Sequence, residues 1–250
     1  MSAPDNVIKL HADAARPSPR PHFCSTCAFS DACCSEGYQD NAVAQMRALL
    51  VDEVRTLQEG EHVFREGERF DAIAAVRAGT VKTYVVDREG REQVLDFYLP
   101  GEVVGLNAIH PDIYPCNAVA LDTVVLCSFT FARMRELAGV MPNLRDRLFR
   151  LLSQDIGKAA LLAGDYSADQ RMAAFLVALS RRYARRGLSA SRFNLSMSRT
   201  DIANYLRLAP ETVSRVLRRL RGQQLIEIDR RDLRLLDLPA LSALAAPVLR

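Results

Sequence analysis

Between about Val51 and Phe131 apolar and polar residues alternate with a period of two, in short runs cut by Gly60, Gly67, Gly79, Gly90, Gly101 and Gly105. That period sends successive side chains to opposite faces of a strand, and the glycines supply the turns. The clearest unit is Val81-Lys82-Thr83-Tyr84-Val85-Val86, turned by Asp87-Arg88-Glu89-Gly90 and returning as Gln93-Val94-Leu95-Asp96-Phe97-Tyr98. It predicts a β-hairpin. Short strands at regular spacing predict a sandwich or a barrel-like roll for the whole stretch.

After the roll the period becomes helical. Pro142 suits the first turn of a helix running to about Ala163, with Leu144, Leu148, Leu151, Leu152, Ile156, Ala159 and Ala160 on one side. A helix of that length between two domains commonly has a partner, so the stripe is read as a dimerisation face. Gly164 can end it, and Ser167-Ala168-Asp169-Gln170 has the form of a capping box that starts the next helix, leaving a hinge near 164 to 166. Phe193 to Met197 reads as a short strand, Arg199 to Leu206 and Pro210 to Arg221 as helices, and Leu225 to Leu236 as a two-stranded wing. Ahead of the roll, the prolines at 17, 19 and 21 predict a flexible arm, and residues 40 to 50 have helical spacing behind Asp40 as N-cap.

At 250 residues, 49% hydrophobic and 25% charged, the chain has ample material for a core and is not disordered as a whole. Its apolar runs, such as Met172 to Ser180, are about half of the roughly 18 residues that a spanning helix needs, which excludes a membrane protein. The first 23 residues lack the apolar stretch of a secretory signal, so the expected location is the cytoplasm. The net charge of +3 hides an asymmetry: Arg171 to Leu236 holds fifteen Arg, no Lys and five carboxylates, a balance of +10 that leaves −7 elsewhere. A basic carboxy-terminal third on an acidic body suggests a nucleic-acid-binding module, a solvated helix surface being the alternative.

The run Arg199 to Leu217 gives that charge a geometry. Ile202, Leu206, Leu208, Val213 and Leu217 are spaced to form the shared core of two short helices crossing steeply, with small Ala203 allowing close approach. The second helix would enter a major groove with Glu211, Ser214 and Arg215 outward near its start. Arg215 suits guanine, Glu211 suits cytosine and Ser214 a base edge or phosphate, while Arg218, Arg219 and Arg221 suit phosphates. An ordinary αα-hairpin with a charged surface is the competing reading, and the wing and charge balance weigh against it.

On these residues the sequence resembles the Crp–Fnr family of transcription regulators over nearly its whole length: β-roll, long helix, then a winged helix-turn-helix carrying Glu-x-x-Ser-Arg as Glu211, Ser214 and Arg215. Arg207 departs from the pattern, which often has glycine there. If the position needs a positive φ, arginine costs on the order of 1 kcal/mol. Rolls of this family that bind a cyclic nucleotide use a Gly-Glu pair and, about ten residues later, Arg-Ser or Arg-Thr; this chain has Gly105-Leu106 and Tyr114-Pro115-Cys116, so no cyclic nucleotide is expected.

Four of the six cysteines, Cys24, Cys27, Cys33 and Cys34, crowd into eleven positions, which in a reducing compartment favours metal or redox chemistry over disulfides. Cys24-x2-Cys27-x5-Cys33 is similar to the cluster motif of the FNR subgroup, oxygen-sensing regulators of anaerobic gene expression. The resemblance implies Cys127 as fourth ligand and a [4Fe–4S] cofactor, which takes four thiolates. From spacing alone zinc is an alternative. Cys34 is a spare thiol by the same motif, Cys116 a small buried residue, and the four His show no paired spacing.

The resemblance further implies a homodimer formed with the cluster intact, a palindromic double-stranded site like TTGAT-N4-ATCAA, conversion towards [2Fe–2S] by oxygen with release of DNA, and contact of the Asp87 to Arg91 loop with RNA polymerase. Against the family pattern the long helix is about three residues short between Gly157 and Leu162, and a carboxylate opposing dimerisation is replaced by Ala159, leaving Asp155 nearest. The expected fold is α+β: a cyclic-nucleotide-binding-like β-roll, a long dimerisation helix and a winged helix-turn-helix. The expected division is an arm at 1–23, the cluster segment and roll at 24–139, the dimerisation helix at 140–164 and the DNA-binding domain at 165–250. Two other readings are a family member answering to zinc or another effector, and an electron-transfer iron–sulfur protein. The ferredoxin-like cysteine run is absent, and no phosphate loop, His-carboxylate pairing or nucleophile elbow suggests an enzyme.

Overall fold

Short β-branched runs become the strands β1 (Glu53–Leu57), β2 (His62–Phe64), β3 (Ala72–Ala78), β4 (Val81–Val86), β5 (Glu92–Tyr98), β6 (Val103–Val104), β7 (Asn117–Ala120) and β8 (Val124–Thr130). They form two antiparallel sheets, ordered β1-β8-β3-β6 and β2-β7-β4-β5, that close into the expected roll. This is a computed structural model describing residues 27–29, 52–161 and 164–249, and side chains only as far as residue 153 in the helix ending at Leu161. The expected arm at 1–23 and helix at 40–50 therefore lie outside the described residues.

The predicted hairpin is β4 paired with β5, and the Asp87 carboxylate closes its loop by accepting the backbone N–H groups of Glu89 and Arg91, each at 2.9 Å. Gly79 is required at the turn from β3 into β4. Its φ is +79°, and a Cβ there would meet the Thr123 carbonyl oxygen at 2.5 Å.

Two helices follow. The first, α1 (Phe131–Val140), had no periodic signal strong enough to predict it, and its buried residues are Met134, Leu137 and Ala138. The second, α2 (Pro142–Leu161), begins at the predicted proline. Its stripe packs along the roll within the chain. Leu144 is fully buried and Leu151 is buried within the core of the roll, with Leu148 and Leu152 packed against that core. Leu144 and Leu151 therefore belong to the core of the roll within one chain. Phe149, 62% exposed, is the exposed large apolar residue among the described side chains of α2. The side chains of Asp155 and Ile156 lie outside those described.

The carboxy-terminal part comprises α3 (Ala168–Ala184), β9 (Arg192–Asn194), α4 (Arg199–Leu206), α5 (Pro210–Gly222), β10 (Ile226–Asp229), β11 (Asp232–Leu235) and α6 (Leu238–Ala245). The capping box at Ser167 forms in both directions, and a second closes the start of α4 between Ser198 and Asp201. The hinge region is pinned: the Arg171 guanidinium donates to the carbonyls of Gly164, Tyr166 and Leu206.

This part is docked on the roll. Val94, Phe97 and Leu99 of the β5 region share one buried cluster with Met172, Phe175 and Leu176 of α3. Around that contact Lys82 Nζ sits 2.8 Å from both Glu92 Oε2 and Asp201 Oδ1. Asn204 accepts the Val94 N–H at 2.7 Å and donates to the Glu92 carbonyl. Arg182 Nε donates to Glu102 Oε1 at 2.8 Å, and burial opposing its charge is outweighed by Glu102, which raises its proton affinity.

Candidate functional site

The recognition helix is built as its sequence requires. Val213, Val216, Leu217 and Leu220 of α5 are buried against α3 and α4, which turns Glu211, Ser214, Arg215, Arg218 and Arg219 to the exposed side. Pro210 in the first turn supplies a preset φ and lacks a donor where none is needed. Arg207 ends α4 at φ 54° and ψ 48°, the left-handed conformation anticipated for it, and the Leu208 N–H reaches back to the Ala203 carbonyl at 2.8 Å.

The exposed side chains differ in their ties. Ser214 Oγ donates to the Pro210 carbonyl at 3.1 Å, and Arg215 Nη2 to Thr212 Oγ1 at 3.2 Å, so both are held lightly by their own helix. Arg219 is bound more firmly, with Nη2 2.8 Å and Nε 3.0 Å from Asp169 Oδ1 on α3. An open groove between α5 and β10 is lined by Arg199, Ser214, Arg218 and Arg221. Sequence spacing found the outward residues but not the Asp169 tie, which joins positions fifty apart in the chain.

At the other end of the protein, two of the four predicted thiol ligands are described. Cys27 and Cys127 are both buried and belong to the same apolar cluster of the roll. Cys127 lies on β8 opposite Val54 and Ala75, on the same face of the strand as Phe129. Phe29 packs edge-on against Phe129, centroids 5.1 Å apart, so the Cys27 segment and Cys127 share one side of the roll. The Phe29 N–H donates to Cys27 Sγ at 3.5 Å. Amide donors to sulfur stabilise thiolate and tune iron–sulfur centres, so the surroundings of Cys27 fit such a group. Cys24, Cys33 and Cys34 lie outside the described residues, and among those described no three metal-ligating side chains converge.

Cys116, immediately before β7 and in the same large apolar cluster, accepts from Asn107 Nδ2 at 3.4 Å; burial pushes its thiol up despite that bond. Where a cyclic phosphate would be sought, Tyr114 stacks on Phe64 with centroids 3.9 Å apart and donates its hydroxyl to the Ala72 carbonyl.

A β-roll docked on a winged helix-turn-helix with a basic, exposed recognition helix defines a DNA-binding transcription regulator. Comparison with known proteins agrees: the cyclic nucleotide-binding domain family matches residues 54–139 and the Crp-like helix-turn-helix domain family matches residues 170–244. The chain is 41% identical over 233 residues to the transcriptional activator protein FnrA of Stutzerimonas stutzeri, covering 90% of this chain and 93% of that protein. It is 40% identical over 235 residues to the transcriptional activator protein anr of Pseudomonas aeruginosa, covering 92% and 95% respectively. Among solved structures it resembles FixK2 from Bradyrhizobium japonicum, with a TM-score of 0.68 and 26% identity over 77% of this chain and 96% of that one. The chain belongs to the Crp–Fnr family of transcription regulators, which are typically dimeric, and it is not an enzyme. No described helix is long and apolar enough to cross a membrane.

Proposed function

We propose that this regulator responds to oxygen through a [4Fe–4S] cluster held by Cys24, Cys27, Cys33 and Cys127. The observation carrying this reading is the packing of Phe29 on Phe129, which brings the buried Cys27 segment against the strand that carries buried Cys127. When bound, the cluster supplies an oxygen-labile cross-link between the amino-terminal segment and β8. The chain's own residues do the rest: Cys27 and Cys127 hold it, apolar neighbours such as Phe29 and Phe129 exclude water, the Phe29 amide supports the Cys27 sulfur, and α2 lies against the same core. Two copies pairing through α2 present two recognition helices to a palindrome of the TTGAT-N4-ATCAA kind, because a two-fold dimer reads half-sites about one helical turn apart. The division at residues 23, 139 and 164 belongs to this reading, as do action in the cytoplasm, RNA polymerase at the Asp87 to Arg91 loop and a roll that takes no cyclic nucleotide. The Phe64 and Tyr114 stack and the absence of a phosphate-binding arginine at 114 to 116 support that last point.

The test is anaerobic purification with iron and sulfide analysis and an absorption spectrum, followed by air. A broad visible band with about four irons per chain that bleaches in air is expected. A colourless protein containing zinc overturns the reading.

For the DNA interface, Arg215→Ala is expected to cost about 1–3 kcal/mol and to relax discrimination at one base pair. Arg219→Ala is expected to leave base preference intact and to lower the salt slope by less than about 1, because Asp169 already neutralises part of its charge. Titration against single-base variants of the site at several salt concentrations separates the two, and equal behaviour would count against the groove assignment.

A further inference from the structure

The three described residues of the amino-terminal segment reach three different parts of the protein. The Ala28 N–H donates to the Gly101 carbonyl at 2.9 Å, in the turn between β5 and β6. The Ala28 carbonyl accepts from Arg147 Nε at 2.7 Å, and Arg147 belongs to α2. Phe29 rests on Phe129 of β8. The residue next to a proposed ligand is thus held on one side by the roll and on the other by the long helix.

Arg147 is well placed to feel this segment. It lies between Leu144 and Leu151, both sunk in the core of the roll, so the helix turn carrying it is anchored on either side. Its guanidinium is half-buried and bonded to a backbone carbonyl, and a long side chain held this way gives up rotamer freedom that a solvated arginine keeps. The bond is charge-assisted and short, and a displacement of about 1 Å at residue 28 lengthens it beyond hydrogen-bonding distance.

We infer that Arg147 is a positioning residue that couples ligation at Cys27 to the setting of α2. The inference rests on the cluster reading above and deepens it. Ligation fixes the backbone around Cys27, because metal binding and local folding are one event. The Ala28 carbonyl is then presented to Arg147, and α2 is held in the register that this bond selects. Loss of ligation releases the carbonyl, and Arg147 loses its acceptor. Coupling of this kind is reciprocal: whatever favours the dimer also slows loss of the cluster.

The experiment uses the full chain, purified anaerobically, as parent, Arg147→Gln and Arg147→Lys. Iron per chain and the visible band report ligation, and sedimentation before and after air reports the dimer dissociation constant. The expected result is that Arg147→Gln keeps the parent's iron content while its air-induced change in dimer dissociation constant shrinks by about tenfold or more relative to the parent. Arg147→Lys, which retains a charged donor, keeps part of the change. Addition of site DNA slows bleaching of the parent but not of Arg147→Gln. If Arg147→Gln holds iron and its dimer responds to air as the parent's does, the inference is overturned and the cluster reading stands. If Arg147→Gln cannot hold iron without air, the residue assembles the ligand site and the coupling role is overturned. A parent without iron overturns both.

Discussion

Cys127→Ser is expected to yield a folded chain that holds no iron when purified without air and binds its palindrome on the order of a hundredfold more weakly than the cluster-loaded parent. Serine is close to cysteine in shape, and Cys127 sits in regular antiparallel register between β1 and β3, so the strand itself has no reason to fail. A neutral hydroxyl, however, is a poor ligand for iron that is otherwise bound by thiolates. Without the cross-link to β8, the segment at Cys27 retains the Phe29 contact and the Ala28–Gly101 hydrogen bond, and the Arg147 bond is released. The affinity loss follows from dimerisation: two linked half-site contacts exceed one by roughly 10²–10⁴ when the geometry permits both. Cys116→Ser is the matched control, because Cys116 is equally buried yet bonded to Asn107 in another part of the roll, and it should keep its iron. Iron analysis and gel-shift titration under nitrogen read both variants. A Cys127→Ser protein with the parent's iron content would remove Cys127 from the ligand set.

The second large effect is expected at the junction of roll and DNA-binding part. Lys82→Met should lower stability by about 3 kcal/mol, the low end of the cost of removing one member of a buried ion pair. In a chain of this size that corresponds to a fall in Tm of roughly 6–12 °C. Lys82 and Asp201 have side chains only 10% and 15% exposed, so Asp201 would be left with a buried charge and only Ser198 beside it. The pH dependence has a definite sign. Burial acts to raise the Asp201 carboxyl, but the bonds from Lys82 and Ser198 outweigh it and hold the group below its ordinary 3.8. Its stabilisation is complete above that value and is lost as pH falls through the depressed folded value. Burial acts to lower Lys82, but Asp201 and Glu92 outweigh it and hold the ammonium above its ordinary 10.5. Its stabilisation is complete below that value and is lost as pH rises through the elevated folded one. Thermal melts of parent, Lys82→Met, Asp201→Asn and the double variant measure the pairing as a coupling energy. Additive losses would show that the two residues act separately.

Much of this architecture was legible because it is local. Alternation at Val81 to Val86 and Gln93 to Tyr98 specified the hairpin, and only the first residue of β5 shifted, to Glu92. Arg199 to Leu206 appears within its predicted bounds, and Arg207 takes the left-handed turn at which the sequence departs from glycine. The outward face of α5 could be read because the buried positions of an amphipathic helix define the exposed ones. The stripe on α2 is apolar as its spacing predicts, and within the chain part of it faces the roll. Periodicity states that Leu144 and Leu151 are buried, not by what, and here the roll covers them. Helix α6 has local signals of its own, Asp237 capping it through the Ala240 N–H and a proline in its first turn, but its eight residues are too short to show a helical period.

The sequence alone determined the period of each element, the concentration of arginine on the reading head and the presence of crowded cysteines, because each depends on residue type and short spacing. Only the tertiary structure decided which distant residues meet. It set Lys82 against Asp201, Arg182 against Glu102, Arg219 against Asp169, and the segment at Cys27 against both Gly101 and Arg147. These contacts join positions separated by many elements, and their existence depends on how the sheets and helices pack rather than on any pattern along the chain. They are also where the roll, the long helix and the reading head become one mechanical unit.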